Sequence, residues 1–430
     1  MKSNLTRRAF LKQTSAVSAG ALLLPHRVNA RANSPNEKLD IAIVGVAGRG
    51  AEDLNGVKGE NIVALCDVDD NSLNAAAQKF PKAKTYNDFR LMLEQKEIDA
   101  VVVATPDHTH AVAAVAALKS GRHVYCEKPL ARTISEARII TDTAREQKRV
   151  TQIGTQIHAG SNYRRVVELI QSGTIGPVKE VHVWIPTTYG NKERPTEEPP
   201  VPAHIHYDLW LGPVEYRPYH PDYLPFAWRH WWAFGGGALA DFGCHYMDLP
   251  HWALGLRQPL TVEVIDGPPV HPESTPPWLI VHYEHPARDS QPTVKLTWYH
   301  GGKQPALLSS EQAAKWKSGV LFIGEKGMVV SDYSKHALWP EKDFVGFTPP
   351  KRFIKDSIGH HKEWIDACKT GGSTTCQFDY SGPLTETALL GNVAYRAGKK
   401  LVWNPKTLRA TNCPEADQFI QHHYRKGWTL

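Results

Sequence analysis

Four short apolar runs are spaced regularly between residues 39 and 129. Runs without polar alternation are typical of strands buried on both faces, as in a parallel sheet covered by helices. Segments with apolar residues at helical spacing separate them, and this alternation predicts a doubly wound α/β domain. The runs are LDIAIVG (39–45), NIVALCD (61–67), DAVVVATP (99–106) and HVYCEKP (123–129), and the predicted helices cover 71–80, 88–95, 109–121 and 135–147.

The second half of the chain has a different pattern, in which short strands alternate with long loops rich in Pro, Trp and His. This pattern predicts an α+β domain with an open, mostly antiparallel sheet. The predicted strands cover 178–186, 260–266, 278–285 and 293–301.

The turn after the first predicted strand reads GVAGRG (45–50). Gly45 and Gly50 occupy the outer positions of a dinucleotide-binding fingerprint, whose glycines allow a tight turn and close helix packing beside a pyrophosphate. Ala47 departs from the fingerprint, with Gly48 beside it. Asp67 ends the second strand, 22 residues after Gly45, where a carboxylate binds the adenosine ribose and repels a 2′-phosphate. The site is therefore predicted to favour NAD over NADP.

The N-terminus resembles an export signal. TRRAFLK (6–12) has a twin-arginine pattern, TSAVSAGALLL (14–24) is apolar but too short to span a membrane, and VNA (28–30) is typical of a cleavage site after Ala30. The alternative is a disordered basic tail. We expect a twin-arginine leader over 1–30, recognition by the twin-arginine machinery, a periplasmic or otherwise exported location, and no stable membrane anchor.

The charge of the chain comes mostly from this leader. The formal net charge is +6, but residues 1–30 hold five basic residues and no acid, which leaves 45 basic against 44 acidic residues. Because no other basic cluster with interleaved aromatics stands out, nucleic acid is not an expected partner.

The six cysteines allow two interpretations. An even number in an exported protein is consistent with disulfides, but a protein that folds before export closes its core in a reducing compartment. No CxxC spacing occurs, and we expect free thiols. The cysteines are Cys66, Cys126, Cys244, Cys368, Cys376 and Cys413.

Several motifs follow one another in an order that resembles the Gfo/Idh/MocA family of nicotinamide-dependent oxidoreductases, which act on sugars, cyclitols and related polyols. The resemblance covers nearly all of residues 38–430. The motifs are GVAGRG (45–50), CDVD (66–69), TPDHTH (105–110), EKPLA (127–131), IGTQIH (153–158), SGTIGPVKEVHVW (172–184), GGGALADFGCHYMD (235–248) and TALLGNVAYRAGKKLVWN (387–404).

The resemblance implies a set of cofactor contacts for NAD at the ends of the predicted strands. Asp107 replaces the asparagine that the family has within TPDHTH, so that a carboxyl group stands near the cofactor where the family has an amide. The implied cofactor-binding residues are Gly45, Ala47, Gly48, Arg49, Gly50, Asp67, Thr105, Pro106, His110, Glu127 and Lys128.

The resemblance also implies three catalytic residues, Lys128, Asp241 and His245. Oxidising a secondary alcohol moves a hydride to nicotinamide and a proton to a base, and a histidine near neutral pKa suits the second task. An aspartate can fix the tautomer of that histidine, and a lysine can stabilise the developing alkoxide. The i, i+4 spacing places Asp241 and His245 on one helical face.

The segment 204–237 is dense in aromatics and histidines, which suits a carbohydrate-binding cleft; the alternative is a loop packed by its own aromatics. No His, Cys or Asp spacing predicts a metal site. GHHKEWIDAC (359–368) is interpreted as an amphipathic helix whose histidines form a surface or loop contact. The substrate candidates are His158, Tyr163, Arg164, Trp228, Arg229 and His245.

These observations predict four parts: the leader (1–30), a NAD-binding Rossmann domain (38–156), a substrate and oligomerisation domain (157–385) and a C-terminal helix and tail that packs on both domains (386–430). An open sheet of this kind usually buries one face against a partner, so a homodimer or homotetramer is expected.

Three functions are compatible with these predictions. Because an exported enzyme has no NAD pool to exchange with, the cofactor must be tightly held and regenerated within the cycle. The first function is an oxidoreductase that converts a sugar or polyol hydroxyl to a ketone, and the alternative is a glycosidase that works by transient oxidation, elimination, hydration and reduction. The third, an inactive sugar-binding module, is disfavoured by the intact Lys128, Asp241 and His245.

Overall fold

The computed structural model describes residues 37–288 and 291–430. The predicted twin-arginine leader lies outside these residues. Within them, no helix combines the length and the apolar character needed to cross a bilayer.

The first half of the chain forms a six-stranded parallel sheet with the order β3-β2-β1-β4-β5-β6. This order confirms the predicted Rossmann-type fold. The sequence did not reveal the two short edge strands, β3 and β6, which have three residues each. The strands are β1 Asp40–Val44, β2 Asn61–Cys66, β3 Lys84–Tyr86, β4 Ala100–Val103, β5 His123–Cys126 and β6 Thr151–Ile153.

Both faces of this sheet are buried, as its continuous apolar runs predict. Ile41 and Ile43 of β1 point into one hydrophobic cluster, and Ala42 and Val44 point into another on the opposite face. The helices of the first half are α1 Arg49–Val57, α2 Asp70–Lys79, α3 Phe89–Met92, α4 Asp107–Lys119 and α5 Ile134–Gln147.

The second half forms a nine-stranded sheet with the order β13-β12-β11-β7-β10-β9-β8-β14-β15. Only the β7–β10 pair is parallel, which confirms the prediction of a mostly antiparallel sheet. The strands are β7 Val178–Trp184, β8 Thr261–Asp266, β9 Leu279–His285, β10 Val294–His300, β11 Gly319–Gly324, β12 Gly327–Ser331, β13 His336–Trp339, β14 Leu401–Asn404 and β15 Arg409–Ala410.

Four main helices of the second half pack in one hydrophobic cluster with this sheet. The main ones are α6 Ser161–Gln171, α8 Gly237–Tyr246, α9 Asp248–Leu254 and α12 Phe378–Ala397; the others are α7 Tyr207–Leu211, α10 Ser310–Lys315, α11 His360–Thr370 and α13 Asp417–Ile420, with 3-10 turns at Gln156–Ala159, Ala227–His230, Glu341–Phe344 and Pro414–Ala416.

Helix α12 lies between the two sheets, where glycines allow close contact. A Cβ at Gly382 would lie 2.2 Å from the Thr141 hydroxyl of α5, and a Cβ at Gly243 of α8 would lie 2.9 Å from Ala388. The helix therefore packs on both halves of the molecule, and it begins at Phe378, before the predicted start of the C-terminal helix.

The prediction that the adjacent histidines of helix α11 form a surface or loop contact is wrong for His360, which is buried against strand β6. Trp364, Ile365 and Cys368 pack on the parallel sheet in the same cluster as Ile41 and Ile43. His360 is buried, and its Nε2 lies 2.8 Å from the carbonyl oxygen of Ile153.

All six cysteines are free and buried, which confirms the expectation of free thiols.

Later segments of the chain complete two edges of the Rossmann sheet. At β6, the N–H of Ile153 donates to the carbonyl of Cys376, and the Thr374 hydroxyl donates to the carbonyl of Thr151. After β2, the segment 204–206 forms a backbone bridge with Asp69: Asp70 N–H donates to His204, and His206 N–H donates to Val68. The two halves therefore share backbone hydrogen bonds.

Candidate functional site

The turn after β1 is packed so tightly that only glycine fits at two positions. Gly45 has φ of 86°, and a Cβ there would lie 2.6 Å from the carbonyl oxygen of Ala104. A Cβ at Gly50 would lie 1.9 Å from the carbonyl oxygen of Gly45. The start of α1 therefore rests directly on the turn, and its free N–H groups lie at the carboxyl end of the sheet.

The departure from the fingerprint at Ala47 is accommodated by the backbone. In the middle of the turn, the positive φ that favours glycine is at Gly48, where φ is 52°, and not at position 47. A Cβ at Gly48 would meet no atom within 4 Å, and Ala47 is exposed. The turn therefore keeps an open surface where a phosphate group can approach the backbone.

Asp67 lies beside this turn at the end of β2. Its two carboxylate oxygens accept hydrogen bonds from the N–H groups of Val46 at 2.9 Å and Asp69 at 3.0 Å. Burial raises the pKa of Asp67, although these backbone hydrogen bonds oppose that shift. The carboxylate is thus fixed in place next to the turn, as a ribose contact requires.

His110 joins the loops that follow β4 and β5. Its Nδ1 lies 2.8 Å from the carbonyl oxygen of Pro129, and its Nε2 lies 2.7 Å from that of Thr105, next to Pro106. Burial lowers the pKa of His110 to about 4. A neutral imidazole has one N–H, so it donates to one of the two carbonyls at a time. His110 therefore positions Thr105 and Pro106 from beneath, while these two residues are partly exposed.

Glu127 is buried at the end of β5 among polar side chains. Its Oε1 accepts a hydrogen bond from Gln156 Nε2 at 2.6 Å and lies 3.3 Å from Arg49 Nε and 3.4 Å from the Tyr125 hydroxyl. Burial and the nearby Asp53 carboxylate raise the pKa of Glu127 to about 8. Arg49 thus spans from the glycine turn to β5, and its Nε also lies 3.7 Å from the buried Asp53 carboxylate.

Lys128 comes directly after Glu127 at the end of β5, and a cis peptide bond joins it to Pro129. Its ammonium donates to Asp241 Oδ1 at 2.5 Å and to the Asp241 carbonyl at 2.9 Å. The side chain of Lys128 is 13 % exposed and that of Asp241 9 %. Lys128 and Asp241, two predicted catalytic residues 113 positions apart, therefore form a largely desolvated ion pair that the sequence did not predict.

Asp241 also contacts Tyr189 and Arg229. The Tyr189 hydroxyl donates to Asp241 Oδ2 at 2.8 Å, and Arg229 Nε lies 3.3 Å from Oδ1. Burial would raise the pKa of Asp241, but the charges of Lys128 and Arg229 outweigh it and hold that pKa below its ordinary value. The guanidinium of Arg229 lies 4.1 Å from the Trp228 ring centre, a cation–π contact that orients it.

His245 lies one turn after Asp241 on α8 and is partly exposed. The prediction that Asp241 fixes the tautomer of this histidine is not met, because Asp241 binds Lys128 and Tyr189 instead. The Nδ1 atom of His245 has no hydrogen-bond partner within the described residues. Burial and then the charge of Lys128 lower the pKa of His245 well below its usual value, so the imidazole is neutral near pH 7.

Asp107, at the start of α4, belongs to the same cluster. It is 3 % exposed, and burial raises its pKa to about 8, although the charges of Arg229 and Lys128 act in the opposite direction. The residue that departs from the family motif is therefore a protonated acid near pH 7, close to two cations and Asp241.

Three of the predicted substrate contacts have internal partners. His158 Nδ1 lies 3.0 Å from both carboxylate oxygens of Asp248. Tyr163 is fully buried, and Arg164 Nη2 donates to Glu363 at 2.8 Å. These positions favour structural roles, and ligand contact by these three residues stays a prediction.

His158 and Asp248 also form a spatial cluster with Cys376, in which one possible ligand atom from each residue lies within 4.8 Å of the others. Sequence spacing gave no sign of this cluster. The short His158–Asp248 distance is that of a hydrogen bond.

The aromatic segment 204–237 mostly packs on itself. Tyr207, Trp210, Trp231 and Phe234 belong to one hydrophobic cluster with Trp228. The alternative of a self-packed loop therefore describes most of this segment, while Arg229 is the member that reaches Asp241.

Sequence reasoning missed two residues of this site. Tyr189 lies in a loop after β7 that carries no motif, so no local signal marks it. Gln156 lies within the quoted IGTQIH segment, and its position between two strand-end motifs is the signal that was available.

The turn and Asp67 fit a dinucleotide. The glycines bring backbone N–H groups to an open surface, and Asp67 is oriented for a ribose hydroxyl. A cavity of about 490 Å³ lies beside the turn and is lined in part by Val46, Ala47 and Ser72.

Two family profiles match the chain. Residues 39–155 match the oxidoreductase family's NAD-binding Rossmann fold, and residues 160–290 match its C-terminal alpha/beta domain. The chain is 35 % identical to an inositol 2-dehydrogenase of Salmonella typhimurium over 150 residues, 34 % of this chain and 45 % of that protein. It is 29 % identical to an alpha-N-acetylgalactosaminidase of Shewanella oneidensis over 202 residues, 40 % of this chain and 44 % of that protein. The chain thus covers less than half the length of these curated relatives.

Solved structures share the fold. A WlbA dehydrogenase from Bordetella pertussis in complex with NADH and UDP-GlcNAcA superimposes with a TM-score of 0.59 at 20 % identity, over 86 % of this chain and 99 % of that one. An aldose-aldose oxidoreductase from Caulobacter crescentus gives 0.56 at 16 % identity, over 85 % and 100 %. The two profiles, the fold and the glycine turn agree: the chain belongs to the Gfo/Idh/MocA family of oxidoreductases, with its NAD-binding Rossmann domain and its C-terminal alpha/beta domain.

Proposed function

We propose that this protein oxidises or reduces a hydroxyl-bearing carbon of a carbohydrate or related polyol with NAD as its cofactor. The observation that carries the proposal is the cluster of Lys128, Asp241, Arg229, Tyr189 and His245 at the carboxyl end of β5, beside a turn that fits a dinucleotide. Open α/β sheets bind their ligands at this end.

Different side chains of the cluster have different roles in alcohol oxidation. His245 is neutral near pH 7 with an unpartnered Nδ1, so it can accept the hydroxyl proton. The Lys128 ammonium, held by Asp241, stabilises negative charge on the substrate oxygen. A bound nicotinamide would supply the hydride acceptor, so that the alcohol, by losing its hydroxyl proton and the hydride of its C–H bond, would become a carbonyl.

The substrate class is supported by the names of similar proteins, an inositol dehydrogenase and an aldose oxidoreductase. Arg229, in contact with Trp228 and Asp241, is our first candidate for a contact with substrate hydroxyls.

The proposal includes the location and assembly of the protein. Export through the twin-arginine pathway, on the basis of residues 6–30, requires that NAD be loaded before transport and stay tightly bound. The partners are then a small carbohydrate, the twin-arginine machinery and a second copy or copies of the chain, as a homodimer or homotetramer.

A second candidate function is a glycosidase that uses a retained NAD. Two observations favour it: the similarity to an alpha-N-acetylgalactosaminidase, and the protonated, buried Asp107 near Lys128 and Arg229. Loss of a glycosidic oxygen requires an acid to protonate the leaving group, and a carboxyl with pKa of about 8 is suited to that role.

The first test is to release and quantify nucleotide from the purified full-length protein after extensive dialysis. We expect about one NAD per chain, since an exported enzyme depends on a retained cofactor. Protein that purifies empty and binds NAD only weakly would refute the retained-cofactor part of the proposal.

The second test separates the two functions. Protein without added NAD is incubated with aryl glycosides, and separately with free sugars plus a small-molecule electron acceptor. Aglycone release identifies the glycosidase, whereas a keto-sugar that forms only with acceptor identifies the oxidoreductase. If neither product forms across a broad panel of sugars and glycosides, the proposed substrate class is wrong.

A further inference from the structure

A second cavity lies behind the start of α8, away from the glycine turn. Its volume is about 200 Å³, enough for roughly seven non-hydrogen atoms at the ~30 Å³ that water occupies in the liquid. Arg132, just before α5, lines one side, Trp232 and Gly236 line another, and Arg396 and His422 close it.

Arg132 is buried without enough partners. It is 9 % exposed, and its Nη1 donates to the carbonyl of Ala233, but its Nε and Nη2 are buried with no hydrogen-bond partner among the described residues. The nearby carboxylate of Glu136 already accepts hydrogen bonds from the Thr133 N–H and the Tyr424 hydroxyl. Two unmet donors on a buried guanidinium are costly, which indicates a missing acceptor.

Arg396, His422 and the amide of Asn392 also lie on the cavity wall. Arg396 lies over the rings of Trp232 and Phe419, at 5.0 and 4.1 Å from their centres. The Nε2 atom of His422 and the Oδ1 atom of Asn392 are also buried without a hydrogen-bond partner within residues 37–288 and 291–430.

Glu136 attracts Arg132 and Glu273 attracts Arg396, but three arginines line the cavity against two carboxylates. Glu273 accepts a hydrogen bond from Arg217 at 2.6 Å, and Glu215 is exposed. Burial lowers the pKa of Arg132, and burial together with the charge of Arg132 lowers the pKa of Arg396 to about 10. The wall is therefore cationic.

We propose that this cavity binds a small oxyanion, the carboxylate or phosphate group of a metabolite, on Arg132 and Arg396. Two parallel oxygens of such a group match the free Nε and Nη2 donors of Arg132, the usual geometry of a bidentate guanidinium contact. The inference is independent of the proposed function, because it involves none of the residues of the catalytic cluster.

The backbone of Gly235 lies between the cavity and Arg229 of the catalytic cluster. A Cβ at Gly235 would lie 3.0 Å from the Trp228 ring and 3.2 Å from the Arg229 Cα, and a Cβ at Gly236 would lie 2.9 Å from Asn392. Both glycines line the cavity. An anion on Arg132 is therefore placed against the segment that leads into α8 and its Asp241.

The experiment is a calorimetric titration of the NAD-saturated full-length protein with inorganic phosphate and, separately, with malate, against sodium chloride of equal ionic strength. NAD saturation occupies the pyrophosphate site. The variants are Arg132→Gln, Arg396→Gln and, as a control with the same change of charge, Arg352→Gln, whose side chain is 60 % exposed. Circular dichroism and NAD binding verify the fold of each variant.

We expect one site per chain for phosphate, malate or both, at least tenfold weaker binding in Arg132→Gln and Arg396→Gln, and unchanged binding in Arg352→Gln. Preference for phosphate or malate identifies the group that the cavity takes. The proposal is overturned if neither anion binds, or if Arg132→Gln and Arg396→Gln bind as wild type does. Should Arg132→Gln fail to fold, Arg396→Gln decides the question.

Discussion

The glycine turn and the Lys128 cluster lie at the same edge of one sheet but are built in opposite ways. The turn is a continuous stretch, 45–50, whose shape depends on backbone and on the lack of side chains. The cluster draws Lys128, Tyr189, Arg229 and Asp241 from four separate segments, and its geometry depends on side-chain charge. A local binding element is thus readable from sequence, whereas an assembled one requires the fold.

The cluster should show the largest effect on turnover. Lys128→Ala removes the ammonium that stabilises charge on the substrate oxygen, and kcat should fall on the order of 10³-fold with the Kd for NAD nearly unchanged. Steady-state kinetics and NAD titration measure the two quantities. Lys84→Ala, at an exposed surface pair with Glu97, is the control and should retain full activity. Full activity in Lys128→Ala would remove the cluster from catalysis.

The ionisation of Asp107 should make the free energy of unfolding depend on pH, an effect that the glycines of the turn do not have. The folded pKa of about 8 lies above the unfolded value near 3.8, so the stability from this group is present below pH 3.8 and is lost as pH rises to 8. The Asp107→Asn variant has no carboxyl group to ionise, so it does not lose this stability as the pH rises. The stability of the variant relative to wild type should rise by at most about 1.4 kcal/mol per pH unit, roughly 2–4 kcal/mol between pH 5 and pH 8. Urea unfolding at both pH values measures it, and a constant difference would contradict a neutral Asp107.

The turn should respond to bulk and not to charge. Gly50→Ala places a Cβ 1.9 Å from the Gly45 carbonyl oxygen, so the backbone must move. We expect a loss of about 1–3 kcal/mol in the free energy of unfolding and at least about tenfold weaker NAD binding. Gly59→Ala, whose Cβ meets no atom within 4 Å, is the matched control. Equal behaviour of the two variants in thermal unfolding and NAD titration would show that the turn is not tightly packed.

The smallest effect is expected at Asp67, the carboxylate that lies beside the turn. Asp67→Asn removes the repulsion of a 2′-phosphate but keeps an acceptor for the Val46 or Asp69 N–H. The ratio of the Kd values for NADP and NAD in nucleotide-free protein should fall about tenfold. An unchanged ratio would mean that another group excludes the 2′-phosphate.

The sequence predicted those parts of the fold that depend on local pattern. The strands with continuous apolar runs, such as 40–44 and 100–103, and the glycine turn were identified because burial on two faces and positive φ leave a local trace. The edge strands 84–86 and 151–153 have three residues each, too few to form a pattern.

The candidate site was predicted only in part. Lys128, Asp241 and His245 were identified through family motifs, but the bond from Asp241 to Lys128 in place of His245 depends on the fold that brings residues 128 and 241 together. Tyr189 carries no motif. The burial that raises the pKa of Asp107 comes from its tertiary surroundings, which no local pattern reports.

The segment 204–206 and the region around Cys376 have a consequence for how the chain can be divided. They supply backbone partners to the ends of β2 and β6, which a fragment ending at residue 156 would leave exposed to water. Unpaired groups at sheet edges favour edge-to-edge association. The nucleotide-binding half is thus not an autonomous module: expressed alone it would tend to aggregate, and the described chain should lose its structure in one cooperative transition.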